Sequence, residues 1–144
     1  MKKAIIAVAS VAVILFACVF CYNSLFHHGT TSNCRTSIIN KTTDYFSERE
    51  IKSAMSAVKK QFTNFEGCDL VELYYDAEKY PDSVLESEAK DYGCAKVIIL
   101  LSSFDTNSNC EGCFGENETY SNWKWILTKE NEHSKWKVKD WGYG

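Results

Sequence analysis

The most reactive side chains in this sequence are five cysteines beyond residue 30. They are Cys34, Cys68, Cys94, Cys110 and Cys113. Because the number is odd, an oxidising compartment would leave one thiol free or joined to another chain. Cys68 and Cys94 each stand directly before a predicted strand. If those two strands run parallel, their starts lie side by side, and a disulfide between Cys68 and Cys94 is predicted.

Cys110 and Cys113 form a C-x-x-C motif. Such a motif is typical of redox enzymes when it joins a strand to a helix, a setting that lowers the pKa of the first thiol. Here it lies in a polar loop, so redox catalysis is not favoured. A zinc site needs four ligands, and the predicted domain contains one histidine, His133, so zinc is not favoured either.

Oxygen-bearing side chains in the same loop have the spacing of a calcium-binding loop. Asp105, Asn107 and Asn109 alternate, and Glu116 falls at position 12 when Asp105 is position 1. Cys110 takes the place of the usual turn glycine, and strands rather than helices flank the loop. The alternative is a polar connection rich in Asn and Ser because turns favour them. Calcium is therefore a weak hypothesis, and no other cofactor is predicted.

Aromatic residues near the C-terminus form a candidate ligand face. They are Trp123, Trp125, Trp141 and Tyr143. If they are buried, they are core residues, since cross-strand aromatic pairs stabilise a sheet by roughly 0.2–1 kcal/mol each and a small domain needs large side chains to build its core. If two or more indoles are exposed, a platform for sugars or a peptide is favoured.

No catalytic residue is predicted, because the sequence contains no G-x-S-x-G, HExxH or phosphate-binding loop. We therefore expect a protein without enzymatic activity. Beyond position 34 the chain has 14 basic and 19 acidic residues, a net charge of 14 − 19 = −5. The two signs are interspersed, whereas nucleic-acid binding needs clustered Lys and Arg. Nucleic acid is not an expected partner.

Residues 1–22 predict a membrane anchor. Residues 4–22 carry no charge and follow Lys2 and Lys3; about 20 apolar residues cross a bilayer, and flanking lysines favour the cytoplasmic side. One alternative is a lipoprotein signal, since Leu15–Cys18 resembles a lipobox with Cys18 as the lipidated residue. Another is a cleaved signal peptide, whose apolar core would be about 7–15 residues. We expect a single-pass protein of the cell membrane with its C-terminal domain outside the cytoplasm.

The clearest secondary-structure pattern begins at Ser47. Ser47 and Glu50 have the spacing of a capping box. The apolar residues that follow recur at helical spacing, and Gly67 is a typical helix stop. The pattern predicts a helix over 47–66, preceded by a polar juxtamembrane tether over 23–46.

The rest of the chain predicts four strands and a second helix. Alternation predicts a strand over 68–76, and Ser83 with Glu86 repeats the capping spacing before a shorter helix that stops at Gly93. Further strands are predicted over 95–104, 122–129 and 135–143, with a polar loop over 105–121. The order α-β-α-β-β-β predicts one α+β domain over 47–144, with a long helix packed on a curved, mainly antiparallel sheet that ends in a meander.

Several segments together resemble a family of uncharacterised small membrane-anchored or lipoprotein-like domains of Gram-positive anaerobes such as clostridia. The resemblance covers residues 45–144 and is carried by 65–68, 73–76, 97–100, 119–127 and 136–142. It implies a cystatin-like or NTF2-like α+β fold. It implies no activity and no catalytic residues. The pair Cys110 and Cys113 departs from the loop of that family, which is rich in Gly and Asp.

These observations predict a non-enzymatic binding module of the cell envelope, with a protein or a small ligand as partner on the concave side of the sheet. The alternative is a calcium- or disulfide-stabilised structural module. A secreted-side enzyme ranks third.

A calcium site at Asp105 makes a specific prediction. Asp105→Asn removes one of two carboxylates, so it should lower the melting temperature in millimolar calcium and leave it unchanged in chelator. Differential scanning calorimetry under both conditions measures this. Equal melting temperatures of the unchanged protein with calcium and with chelator would exclude the site.

Overall fold

The computed structural model of the protein describes residues 28–40, 45–110, 112 and 114–143. The predicted anchor at 4–22, with Cys18, lies outside the described residues. Within the described residues, no helix is both long and apolar enough to cross a bilayer. The elements described are β1 Arg35–Ile39, α1 Glu48–Phe62, β2 Cys68–Asp76, α2 Asp82–Asp91, β3 Lys96–Thr106, β4 Thr119–Lys129 and β5 Lys137–Gly142.

The strands form one mixed sheet in the order β1-β2-β3-β4-β5. β1 runs parallel to β2, and every other neighbouring pair is antiparallel. The predicted α+β class is confirmed, and so is the meander of the last three strands. Because β2 and β3 are antiparallel, Cys68 and Cys94 do not start neighbouring parallel strands, and that premise of the predicted disulfide is wrong.

The segment predicted as a tether over 23–46 contains structure that belongs to the sheet. β1 lies within it, and the residues before β1 also pack on the domain: the Gly29 amide donates to the Thr63 carbonyl (3.2 Å), and the Thr30 amide donates to the Cys68 carbonyl (2.9 Å). The prediction missed β1 because the strand is five residues long and mostly polar. Thr36 and Ile38 are the register partners of Leu73 and Tyr75, but only Ile38 of the two is half-buried, and Thr36 is exposed.

Helix α1 begins as predicted, with both hydrogen bonds of the capping box. The Glu50 amide donates to Ser47 Oγ (3.2 Å), and the Ser47 amide donates to the Glu50 carboxylate (3.0 Å). The helix ends earlier than predicted, at Phe62. There the chain folds back, and the Phe65 ring stacks on Phe62 at 5.1 Å. Helix α2 also differs, because it begins after Pro81 without a side-chain cap, and Ser83 is not its N-cap.

The core is built around β3, whose side chains are buried on both faces of the sheet. Leu100 and Phe104 share a face with Trp125 of β4, and α1 covers this face, since Phe62 packs edge-on against Phe104 (5.6 Å) and Trp125 (6.3 Å). Trp125 is fully buried, and its Nε1 donates to Ser102 Oγ (2.9 Å). On the other face Val97, Ile99 and Leu101 are also buried, and α2 packs against β3.

Gly67 joins α1 to β2 at a point of close backbone contact. Its φ is +67°, and a Cβ there would lie 2.4 Å from the amide nitrogen of Cys110. The Asn107 amide donates to the Gly67 carbonyl (2.9 Å), and the Cys110 amide donates to the Asn107 carbonyl (3.1 Å). Glycine is therefore required here by both conformation and space. The contact holds residues 107–110 against the start of β2.

Glu50 fixes the first turn of α1 to the sheet. Its carboxylate lies 3.2 Å from Lys96 Nζ of β3 and 3.7 Å from Lys129 Nζ of β4. Partial burial raises the pKa of Glu50, but hydrogen bonds from Ser47 and Lys96 outweigh it and the pKa is lowered. Burial lowers the pKa of Lys96, whereas Glu50 and Glu132 raise it, with a net rise. The capping residue of α1 is thus also an ion-pair partner of two strands.

Gly67→Ala should destabilise the domain more than Gly93→Ala. Both glycines have positive φ, +67° and +62°, but a Cβ at Gly93 meets nothing within 4 Å. The strained backbone should cost about 1 kcal/mol at Gly93, and roughly 3 kcal/mol at Gly67 where overpacking adds to it. Urea unfolding followed by tryptophan fluorescence measures both. Equal losses would show that the contact between Gly67 and Cys110 is not tight.

Glu50→Gln should remove part of the acid sensitivity of the fold. A carboxylate with a lowered folded pKa stabilises the protein above its unfolded pKa, about 4.3 for Glu, and this stability is lost as the pH falls through the folded pKa. Glutamine keeps the capping geometry but not the charge. The free energy of unfolding of the variant should therefore fall less between pH 6 and pH 3. Glu48→Gln, on the same turn and exposed, is the control and should follow the unchanged protein.

Candidate functional site

A groove lies between β1 and α1 in the described part of the chain. It has an open volume of about 250 Å³ and continues along α1 into a second space of about 180 Å³. Both spaces share Thr36 of β1 with Lys52 and Met55 of α1 as lining residues. The remaining lining residues are Ser37, Ile38, Glu48, Ser56 and Lys59.

The groove exists because α1 does not cover β1. The helix packs on β2, β3 and β5, whereas β1 is an edge strand that pairs with β2 alone among the described strands. Thr36 and Ile38 are on the face of β1 that looks towards α1, since their register partners Leu73 and Tyr75 are on that face. The groove is thus bordered by a strand edge on one side and by a helix on the other.

The groove combines two apolar side chains, Met55 and Ile38, with a mostly polar lining that includes two lysines. Met55 is buried and Ile38 is half-buried. Lys52 is exposed and forms a surface ion pair with Glu48 at 3.4 Å, which contributes little to stability. Lys59 is half-buried at the far end, near Cys34. Burial raises the pKa of Cys34, with Lys59 lowering and Glu72 raising it further. Two lysines against one glutamate make this lining basic in a chain whose net charge is −3.

The predicted aromatic ligand face is divided between core and surface. Trp125 is 0% exposed and Trp123 is 8% exposed, so both are core residues. Trp141 and Tyr143 are 42% and 63% exposed. Their rings rest on the buried cluster, with Tyr143 at 5.2 Å from Trp123 and Trp141 at 6.0 Å from Trp125. One indole of the four predicted side chains is therefore exposed, one fewer than the platform hypothesis requires.

The predicted calcium ligands make hydrogen bonds within the protein. Asp105 lies inside β3, and its Oδ1 accepts from Thr119 Oγ1 (2.7 Å). Asn107 Oδ1 accepts from the Asn109 amide (2.8 Å), and Glu116 is exposed. No group of three or more His, Cys, Asp or Glu side chains with a metal-binding arrangement is present in the described part of the chain. These hydrogen bonds explain the polar composition of the loop, and calcium binding stays a prediction.

The cysteines are arranged differently from the predicted pairing. Cys68 lies opposite Thr106, at the end of β3 away from Cys94, which precedes Lys96 at its start. The neighbour of Cys68 is Cys110, whose Sγ lies 3.8 Å from the Cys68 Sγ. Both thiols are free in the structure, as are those of Cys34 and Cys94. Cys113 lies outside the described residues.

Sequence reasoning missed the groove because it missed β1. The strand carries little sequence signal, because Arg35, Thr36 and Ser37 are polar and burial along it does not alternate, with Ser37 and Ile38 half-buried and the other positions exposed. On the face of the sheet that α1 covers, Leu73 and Trp125 are fully buried. A ligand on the concave side of the sheet stays a prediction. The space left is at the margin of that face, beside β1.

Known proteins provide no assignment for this arrangement. No protein-family model, no curated protein and no solved structure matches the chain. The resemblance to clostridial membrane-anchored domains stays a prediction.

Proposed function

We propose that this protein is a non-enzymatic binding module of the cell envelope, held at the membrane by residues 4–22 with its α+β domain outside the cytoplasm. Its partner is another envelope protein, of which it takes up an extended acidic segment in the groove between β1 and α1. The observation that carries the proposal is the open groove beside an edge strand.

The geometry supports strand addition. An edge strand presents unpaired amide and carbonyl groups, and an extended peptide satisfies them by becoming the next strand. In β1 the outer edge has no partner strand among the described residues. Side chains of the added strand alternate between the two faces, so every second one would point towards Met55 and Ile38. Main-chain hydrogen bonds would provide affinity, and this lining would provide selectivity.

The charges support an acidic partner segment. Lys52 and Lys59 lie along one wall of the groove, and Arg35 is exposed at the start of β1. Carboxylates on the peptide would be attracted to these side chains, an effect that sets specificity and association rate more than affinity. Screening by salt should weaken it. A small molecule is a less suitable ligand for this groove. Pockets for small molecules are usually enclosed and largely apolar, whereas this groove is open.

A structural module stabilised by a disulfide is the second candidate. It is favoured by the 3.8 Å separation of the Cys68 and Cys110 thiols. This role is compatible with binding in the groove, since the two cysteines lie at the start of β2 and in the loop after β3.

Peptide binding to the full chain tests the proposed function. The probes are a fluorescent decapeptide of alternating glutamate and valine, and its lysine–valine counterpart. We expect the acidic peptide to bind and to shift the NMR amide signals of 35–39, and the basic peptide to bind more weakly. The double variant Lys52→Glu with Lys59→Glu should raise the Kd about tenfold, or about 1.4 kcal/mol.

Lys60→Glu is the matched control, since Lys60 is exposed on the same helix but does not line the groove. Two N-methylated versions of the acidic peptide test main-chain pairing separately from charge, one methylated at the odd positions and one at the even positions. Alternate amides of a strand point to opposite edges, so the version whose methyl groups face β1 should not bind and the other should bind normally. Equal Kd values for Lys60→Glu and the double variant, or signals that shift at Trp141 and Tyr143 instead of 35–39, would contradict the proposal.

A further inference from the structure

Two thiols from distant parts of the sequence meet at the start of β2. Cys68 and Cys110 are 42 residues apart in the chain, and their Sγ atoms are 3.8 Å apart. A disulfide has an S–S distance of about 2.05 Å, so the sulfur atoms need to approach by less than 2 Å. A change of side-chain rotamer moves a cysteine sulfur over distances of this size.

The backbone around the two thiols is held by hydrogen bonds and packing. Gly67 and Cys110 are in direct backbone contact, and Asn107 links them by donating to Gly67 and accepting from Cys110. The base of the loop is closed by Thr106, whose Oγ1 donates to the Gly115 carbonyl (2.6 Å) and accepts from the Glu118 amide (2.9 Å). The short distance between the two sulfur atoms is therefore set by the backbone structure of the folded domain.

We propose that Cys68 and Cys110 are an oxidation site, and that their disulfide fastens residues 107–110 to the junction of α1 and β2. The proposal rests on the position and the packing of the two thiols. It does not depend on what binds in the groove.

The chemistry requires an external disulfide as oxidant, such as glutathione disulfide. The Cys110 thiolate attacks one sulfur of the oxidant, forming a mixed disulfide and releasing one thiolate. The Cys68 sulfur then loses its proton and attacks the Cys110 sulfur, forming the protein disulfide and releasing the second thiolate. Two electrons pass to the oxidant, which ends as two thiols, and two protons leave the protein.

The environments of the two thiols favour this order of attack. Cys68 is 1% exposed, and burial together with Cys110 raises its pKa to about 12. A thiol in this state is a poor first nucleophile. Cys110 is half-buried and lies in the loop, so an oxidant can reach it first. Cys68 then acts as the resolving thiol, because its partner is already beside it.

Non-reducing peptide mapping of the full chain tests the proposal. The protein is purified in reductant, transferred to a glutathione buffer rich in the disulfide, alkylated and digested. We expect a cross-linked peptide that joins Cys68 to Cys110 and disappears on reduction. Closing so long a loop should also raise the melting temperature of the oxidised protein by roughly 10 °C.

Single variants separate this bridge from the alternatives. Cys110→Ser should abolish both the cross-linked peptide and the rise in melting temperature, and Cys68→Ser should do the same. Cys113→Ser and Cys94→Ser should retain both. A bridge between Cys110 and Cys113, or a Cys68 that remains fully alkylated after oxidation of the folded protein, would overturn the proposal. Because the mapping is made first on the unchanged chain, misfolding of one variant does not change its outcome.

Discussion

The structure depends on the burial of both faces of β3. Val97 and Ile99 occupy one face and Ile98 and Leu100 the other, and all four are nearly inaccessible to water. A strand of this kind is stable only with a neighbour on each edge and cover on each face. Accordingly, β2 and β4 lie on either side of β3, β1 and β5 are the edge strands, and α1 covers Phe104 and Trp125. Among the described residues, this arrangement leaves the outer edge of β1 without a partner strand.

Much of the fold could be predicted from local patterns, because those patterns report local physics. The capping box at Ser47 and Glu50 fixes the start of α1, and the alternation over 68–76 fixes β2 with the bounds that the structure has. The predicted end of α1 was wrong, since the helix ends at Phe62 and the Phe65 ring beyond it stacks on Phe62. The spacing of apolar residues continues past Phe62 and does not show where the helix ends.

The candidate sites were harder to predict, because they depend on strand direction. The pairing of Cys68 with Cys94 assumed parallel strands, and one reversed strand moves the two cysteines to opposite ends of β3. The encounter of Cys68 with Cys110 depends on Gly67, whose positive φ and missing Cβ let the loop approach. A sequence shows the glycine but not its contact. The aromatic residues were predicted as a set, yet burial divides them. Trp123 and Trp125 are buried in β4, whereas Trp141 lies near the end of the edge strand β5 and Tyr143 follows it.

The parallel pairing of β1 has a consequence for the local stability of the domain. β1 is joined to β2 through α1, so its ladder forms only after a long stretch of chain has been ordered, and it is held by hydrogen bonds on one side. Elements of this kind open with a smaller free energy than the global unfolding of the core. A segment that adds to its outer edge supplies a second ladder and raises that opening free energy. Binding of such a segment would therefore slow the hydrogen exchange of the backbone amides of β1. The side chains that line the groove would lose mobility at the same time as β1.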